Sequence, residues 1–117
     1  MIPNRKCEHL ELKNKLFLHL VKSKNWKSNI LFIDPYVLYG MIEWENNGVH
    51  IFSYQARTYE RLMSGEKGLT YNYILFSYEY DYINYQDFIK DFYNIKELTI
   101  EEIRALCVRE GIEHEGF

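Results

Sequence analysis

The chain predicts an α+β domain, a small and mostly antiparallel sheet of three or four strands packed by helices on one face. Three observations lead there. Two β-prone runs flank Asn46-Asn47-Gly48, residues that supply the positive φ of a tight hairpin. The run Tyr71–Tyr82 alternates as a strand does. Both ends of the chain carry apolar residues at helical spacing.

The first element is a helix over residues 7–23. Leu10, Phe17 and Val21 form its apolar stripe, flanked by Leu16 and Leu20. Trp26 follows at the helix exit as a core plug. Residues 30–33, "ILFI", read as a short strand stopped by Asp34-Pro35. Proline removes a backbone donor, so this strand belongs at an end or an edge.

Residues 37–54 hold the hairpin. A two-residue turn on Asn47-Gly48 would pair Trp44 with Ile51 and Glu45 with His50. A three-residue loop with Gly48 left-handed would pair Trp44 with His50 and Ile42 with Phe52. The second gathers Ile42, Trp44 and Phe52 on one face and is the expected register. A slip of one residue would turn every side chain over.

Residues 56–65 suggest a short helix, with Tyr59, Leu62 and Met63 at helical spacing and Gly65 as its stop. A long strand, "LTYNYILFSYEYDY", comes next. Asn84 then caps a helix whose buried stripe is Tyr85, Phe88, Ile89 and Phe92. Thr99 with Glu102 makes a capping-box pattern for the last helix, which carries Ile100, Ile103 and Cys107 near one face and ends at Gly111. The order is α-β-β-β-(α)-β-α-α, in one domain over residues 1–117.

Composition limits the function classes. At 47% apolar and 26% charged, the 117-residue chain is ordinary for a globular protein and able to build its own core. Two cysteines, Cys7 and Cys107, make no disulfide framework, so a reduced cytoplasmic setting is expected. "LFLHLV" is too short to span a membrane. The abundance of Lys, Asn, Ile and Tyr suggests an AT-rich coding genome, such as that of a low-GC bacterium or its phage. No Walker loop, G-x-S-x-G, H-E-x-x-H or dinucleotide fingerprint occurs. "SGEKG" at 64–68 lacks phosphate-loop spacing. Cys7, His9, Cys107 and His114 do not form the tight ligand pairs of a structural zinc site. No cofactor, metal or catalytic residue is expected.

Charge is unevenly distributed. Residues 1–30 carry seven Lys/Arg against Glu8 and Glu11, whereas the whole chain has a net charge of −3. Tyrosines are concentrated too. Six of the eleven lie between Tyr71 and Tyr85. Strand alternation puts Ile74, Phe76, Tyr78, Tyr80 and Tyr82 on one face and Tyr71, Tyr73, Leu75, Ser77, Glu79 and Asp81 on the other. Glu79 and Asp81 would stand roughly 7 Å apart along the strand, and Glu43 and Glu45 repeat the arrangement in the hairpin. If those strands are neighbours, four carboxylates line one surface. Like charges facing each other destabilise a sheet, so such a row needs compensation.

The expected function is non-enzymatic binding. An acidic, aromatic sheet face formed by Glu43, Glu45, Tyr73, Glu79 and Asp81 would dock a protein partner with a basic surface, such as that of a nucleic-acid-binding enzyme. An inhibitor of anti-defence or immunity type, encoded by a phage or mobile element, fits that description. The alternative is a nucleic-acid-binding regulator acting through Lys13, Lys15, Lys22, Lys24 and Trp26. An exposed edge in the tyrosine strand would also allow a homodimer.

Overall fold

The computed structural model describes residues 8–34, 39–59, 70–79 and 84–112. Helix α1 (Leu10–Lys22) leads into strands β1 (Lys27–Asp34), β2 (Tyr39–Asn46), β3 (Val49–Tyr59) and β4 (Thr70–Ser77). Helix α2 (Tyr85–Lys90), a 3₁₀ turn (Phe92–Asn94) and helix α3 (Ile100–Arg109) follow. The strands form one antiparallel sheet in the order β1-β2-β3-β4. The α+β class is therefore the fold. Among the described residues no helix is long and apolar enough to cross a membrane.

The hairpin takes the two-residue turn, not the expected three-residue loop. Asn46 pairs with Val49, Glu45 with His50 and Trp44 with Ile51. Asn47 and Gly48 both have positive φ, 50° and 80°. That geometry matches the natural twist of the flanking strands. The Glu45 carboxylate also accepts the Gly48 N–H at 3.1 Å. The apolar gain expected from the other register is not forfeited, because both faces of the sheet are buried. Phe52 loses its place beside Trp44 and finds a second core instead.

On the first face, Ile42, Trp44, Ile51, Ile74 and Phe76 pack against Leu12, Leu16 and Leu20 of α1 and Ile103, Leu106 and Cys107 of α3. On the second, Met41, Phe52, Tyr54 and Leu75 pack against Phe88, Phe92 and Ile95. The Phe88 ring stacks on Tyr54 with centroids 5.0 Å apart. Helices α1 and α3 thus serve one face, and α2 with its 3₁₀ turn closes part of the other.

Several elements differ in extent from expectation. The buried row of α1 is Leu12, Leu16 and Leu20 with Lys13, while Val21 is 54% exposed. Leucines four apart stand in one line along a helix, and that line outweighs the looser Leu10–Phe17–Val21 stripe. Residues 56–59 of the expected short helix belong to β3, paired with Thr70–Tyr73; its remainder lies outside the described residues. The long strand ends at Ser77. There the Ser77 hydroxyl accepts the Glu79 N–H at 3.1 Å, a local bond that turns the backbone away from its ladder.

The ends of the helices follow their capping signals. Asn84 Oδ1 accepts the Asp87 N–H at 3.0 Å. Thr99 and Glu102 exchange both bonds of a capping box, at 3.2 and 3.0 Å. After α3 the Ile112 N–H bonds Cys107 O and the Gly111 N–H bonds Val108 O, with Gly111 at φ 71°. That is a Schellman ending. Trp26 is buried, as a core plug should be.

Gly48 isolates the cost of a backbone conformation. A Cβ there would meet nothing within 4 Å, so Gly48→Ala adds no clash. The substitution should still destabilise the protein by about 1–2 kcal/mol, the left-handed penalty. Urea unfolding should show a lower midpoint at unchanged slope.

Candidate functional site

Glu43 and Glu45 point to the second face, away from Ile42 and Trp44. They occupy the half of that face nearest the hairpin turn, beyond the apolar half closed by Phe88 and Phe92. Their neighbours answer part of their charge. Lys27 of β1 stands opposite Glu45, and His50 of β3 lies on its other side. His50 Nδ1 is 3.4 Å from the Glu43 carboxylate. Lys27 and His50 are exposed, and both glutamates are half-buried.

Glu79 is not on the sheet. It follows the end of β4, where its carbonyl accepts the Tyr54 hydroxyl at 2.9 Å. Its exposed carboxylate lies 3.6 Å from Lys96. β3 separates β2 from β4, so Glu43 and Glu45 do not join Glu79 in one carboxylate row. Tyr73 pairs with Ala56 in the ladder, and Asp81 lies outside the described residues. The structure therefore divides the predicted acidic group into two places, the half of the second face nearest the hairpin turn and the end of β4.

The second place has company that strand alternation did not reveal. Tyr78, Glu79, Lys96, Glu97, Leu98 and Glu102 line a surface pocket of about 170 Å³. Burial, and then the Glu102 carboxylate, push the Tyr78 phenol upward from its usual range, with Arg109 opposing. Glu97 and Glu102 come from the segment before α3 and from its first turn. Nothing in local spacing brings them to Tyr78. The long-range contact that does so is the bond from the Leu98 N–H to Phe76 O at 2.8 Å.

The basic candidates behave differently. Lys13 is only 3% exposed and its amine lies 3.3 Å from Glu97. Trp26 is 5% exposed, and its indole N–H donates to the Glu110 carboxylate. His19 Nε2 approaches the same carboxylate oxygen at 3.2 Å. These residues tie α1 and the start of β1 to α3, and the buried Trp26 ring offers no face to a base. Lys15 lies 4.0 Å from Glu11, four residues before it. Lys22 and Lys24 are exposed.

Of the residues weighed as metal ligands, His9 is at the N-terminus of α1 in a left-handed conformation, with φ 55°. Cys107 is fully buried in α3. Cys7 and His114 lie outside the described residues.

No protein-family model matches the chain, and no curated protein or solved structure is significantly similar to it.

Burial pushes the Cys107 thiol up to about 11 from an ordinary 9.0. The thiolate is the nucleophilic form, so Cys107 should resist iodoacetamide in the native state and react only as the protein unfolds. Peptide mapping across a urea series measures this. A raised pKa also makes stability fall as pH climbs from 9.0 towards 11, because the unfolded chain loses that proton first. Cys107→Ala should flatten this part of the stability profile relative to the parent.

Proposed function

We propose that the protein is a small non-enzymatic interaction module that binds a partner with a basic surface. It would act as an inhibitor of anti-defence or immunity type, encoded by a phage or mobile element. The observation that carries this reading is the division of the second face. Its apolar half is closed by Phe88 and Phe92, while Glu43 and Glu45 stand on the other half beside exposed Lys27 and His50. Two carboxylates on one strand repel each other. Lys27 offsets only part of that charge, and a basic partner would supply the remainder. Such charges steer encounter and fix the choice of partner.

The end of β4 extends the same chemistry. Glu79 is exposed beside Tyr78, whose ring presents a broad apolar surface with a polar tip. Tyr73 and Asp81 complete the proposed contact set by sequence. A non-enzymatic role agrees with the state of Cys107, whose buried and protonated thiol is unsuited to nucleophilic attack.

The test uses two variants, Glu43→Gln with Glu45→Gln, and Glu79→Gln with Asp81→Asn. The parent should capture one host protein at fixed stoichiometry, with affinity falling as salt rises. Each double variant should bind that protein about tenfold more weakly or worse, with a shallower salt dependence. Unchanged affinity in both variants would refute the acidic contact. Retention on a DNA or RNA column at physiological salt, with no protein captured, would favour the basic-helix alternative through Lys15, Lys22 and Lys24.

A further inference from the structure

Between the start of α1 and the start of α3 lies a cavity of about 300 Å³. That volume is at the low end of the range in which proteins hold small ligands. Every residue lining it is among those described. Its lining combines three chemistries. Ile100 and Ile103, three residues apart on α3, are apolar, Lys13 is a cation, and Glu8 and Glu97 are carboxylates.

Lysine is seldom buried unless its charge is paired, and Lys13 is 3% exposed. Its ammonium carries three donors. Among the described residues they meet one acceptor, the Glu97 carboxylate at 3.3 Å. Thr99, also in the lining, has a donor to spare. Its hydroxyl oxygen accepts the Glu102 N–H at 3.2 Å, which leaves the hydroxyl proton for another group. The first turns of α1 and α3 both border the cavity, and their dipoles favour a carboxylate there. A bare anion is nevertheless a poor fit. Apart from His9, the charged groups of the lining are one cation and two carboxylates, and the carboxylates would repel it. A bare cation would face Lys13 and leave the buried donors without a second acceptor. A zwitterion meets both demands.

We propose that this cavity binds a free α-amino acid with an aliphatic side chain. The ligand's carboxylate accepts from the Lys13 ammonium and the Thr99 hydroxyl, and its ammonium donates to the Glu8 carboxylate. Its side chain lies against Ile100 and Ile103. These two offer dispersion contact and no hydrogen-bonding group, which selects an aliphatic side chain over a polar one. A ligand held there touches α1 and the start of α3 together, so its binding adds to the stability of their joint. The contact uses none of Glu43, Glu45 and Glu79, and it is independent of any basic protein partner.

Titration of L-leucine into the isotope-labelled protein, followed by amide NMR, tests the proposal. The expected result is a saturable one-to-one shift of signals from residues 8–13 and 97–103, with a thermal midpoint that rises with leucine concentration. Leucinamide lacks the carboxylate and isocaproate lacks the amine, and each should bind at least about tenfold more weakly. Glu8→Lys leaves the Lys13–Glu97 pair in place and should weaken leucine about tenfold or more, with the remaining spectrum unchanged. Lys13→Gln should abolish binding. Because that variant also strands Glu97, Ile100→Phe serves beside it, narrowing the cavity without touching the ion pair, and it too should block leucine. The absence of a saturable shift with leucine, isoleucine and methionine overturns the proposal. So does a single-charge analogue that binds as tightly as leucine, or binding that Glu8→Lys and Ile100→Phe both leave unchanged.

Discussion

Two left-handed residues, Asn47 at φ 50° and Gly48 at φ 80°, decide which side of the sheet every hairpin residue occupies. The turn they form pairs Trp44 with Ile51 and Glu43 with Phe52. Because side chains alternate, that pairing sends Ile42, Trp44 and Ile51 to α1 and α3, and Met41, Phe52 and Tyr54 to α2. Both cores depend on it. A slip of one residue would expose one apolar set and bury Glu43 and Glu45. The hydroxyl of Ser53, buried on the first face, accepts the Trp44 indole N–H at 2.9 Å only in this register's neighbourhood. The turn also sets aside the half-face on which the two glutamates stand.

The second constraint is the joining of helices that follow each other nowhere in sequence. α1 and α3 are linked at both ends by polar contacts. Lys13 meets Glu97 beside the start of α3, and His19 meets Glu110 just after its end. Trp26 donates to that same Glu110, which draws the start of β1 into the link. A carboxylate at a helix C-terminus is opposed by the helix dipole, so Glu110 depends on the donors around it. These polar links set the position of α3 along α1, which the greasy contact of Leu16 or Ile103 alone would leave free to slide.

Local chemistry was legible in the residues that carry it. The Thr99–Glu102 box, the Asn84 cap, the Gly111 stop and the plug at Trp26 each depend on a short stretch of chain. The hairpin was visible, but its register was not, because the expectation assumed one buried face. With one face buried, Ile42 and Phe52 ought to share it. With two, they need not. The same assumption misread β4, where Ile74 and Phe76 face one core while Leu75 and Ser77 are buried on the other side. The candidate site failed at the point where strand order entered. Glu43 and Glu79 could share a row only if β2 and β4 were neighbours, and no local signal says that β3 lies between them. The grouping of Tyr78 with Glu97 and Glu102 was hidden for the same reason.

The charge asymmetry of the chain now has a partly internal explanation. Of the cations in its first thirty residues, Lys13 is consumed by Glu97, Lys15 stands near Glu11, and Lys27 faces Glu45 across the sheet. The acidic remainder of the chain answers its basic beginning through the fold itself. That changes what the surface has to offer a partner. Among the described residues the basic helix ends on exposed Lys22, with exposed Lys24 just beyond it, a thin footprint for a polyanion whose affinity grows with the number of phosphates contacted. The acidic surface keeps the half-buried Glu43 of β2, beside His50, and Glu79 just past the end of β4, beside Lys96. Rigid placement matters for recognition, since a group already held in position costs less entropy to engage. Internal pairing withdraws charges of both signs, Lys96 beside Glu79 and Lys13 beside Glu97 alike, so the net charge of −3 survives folding, and that excess is what a basic partner would meet.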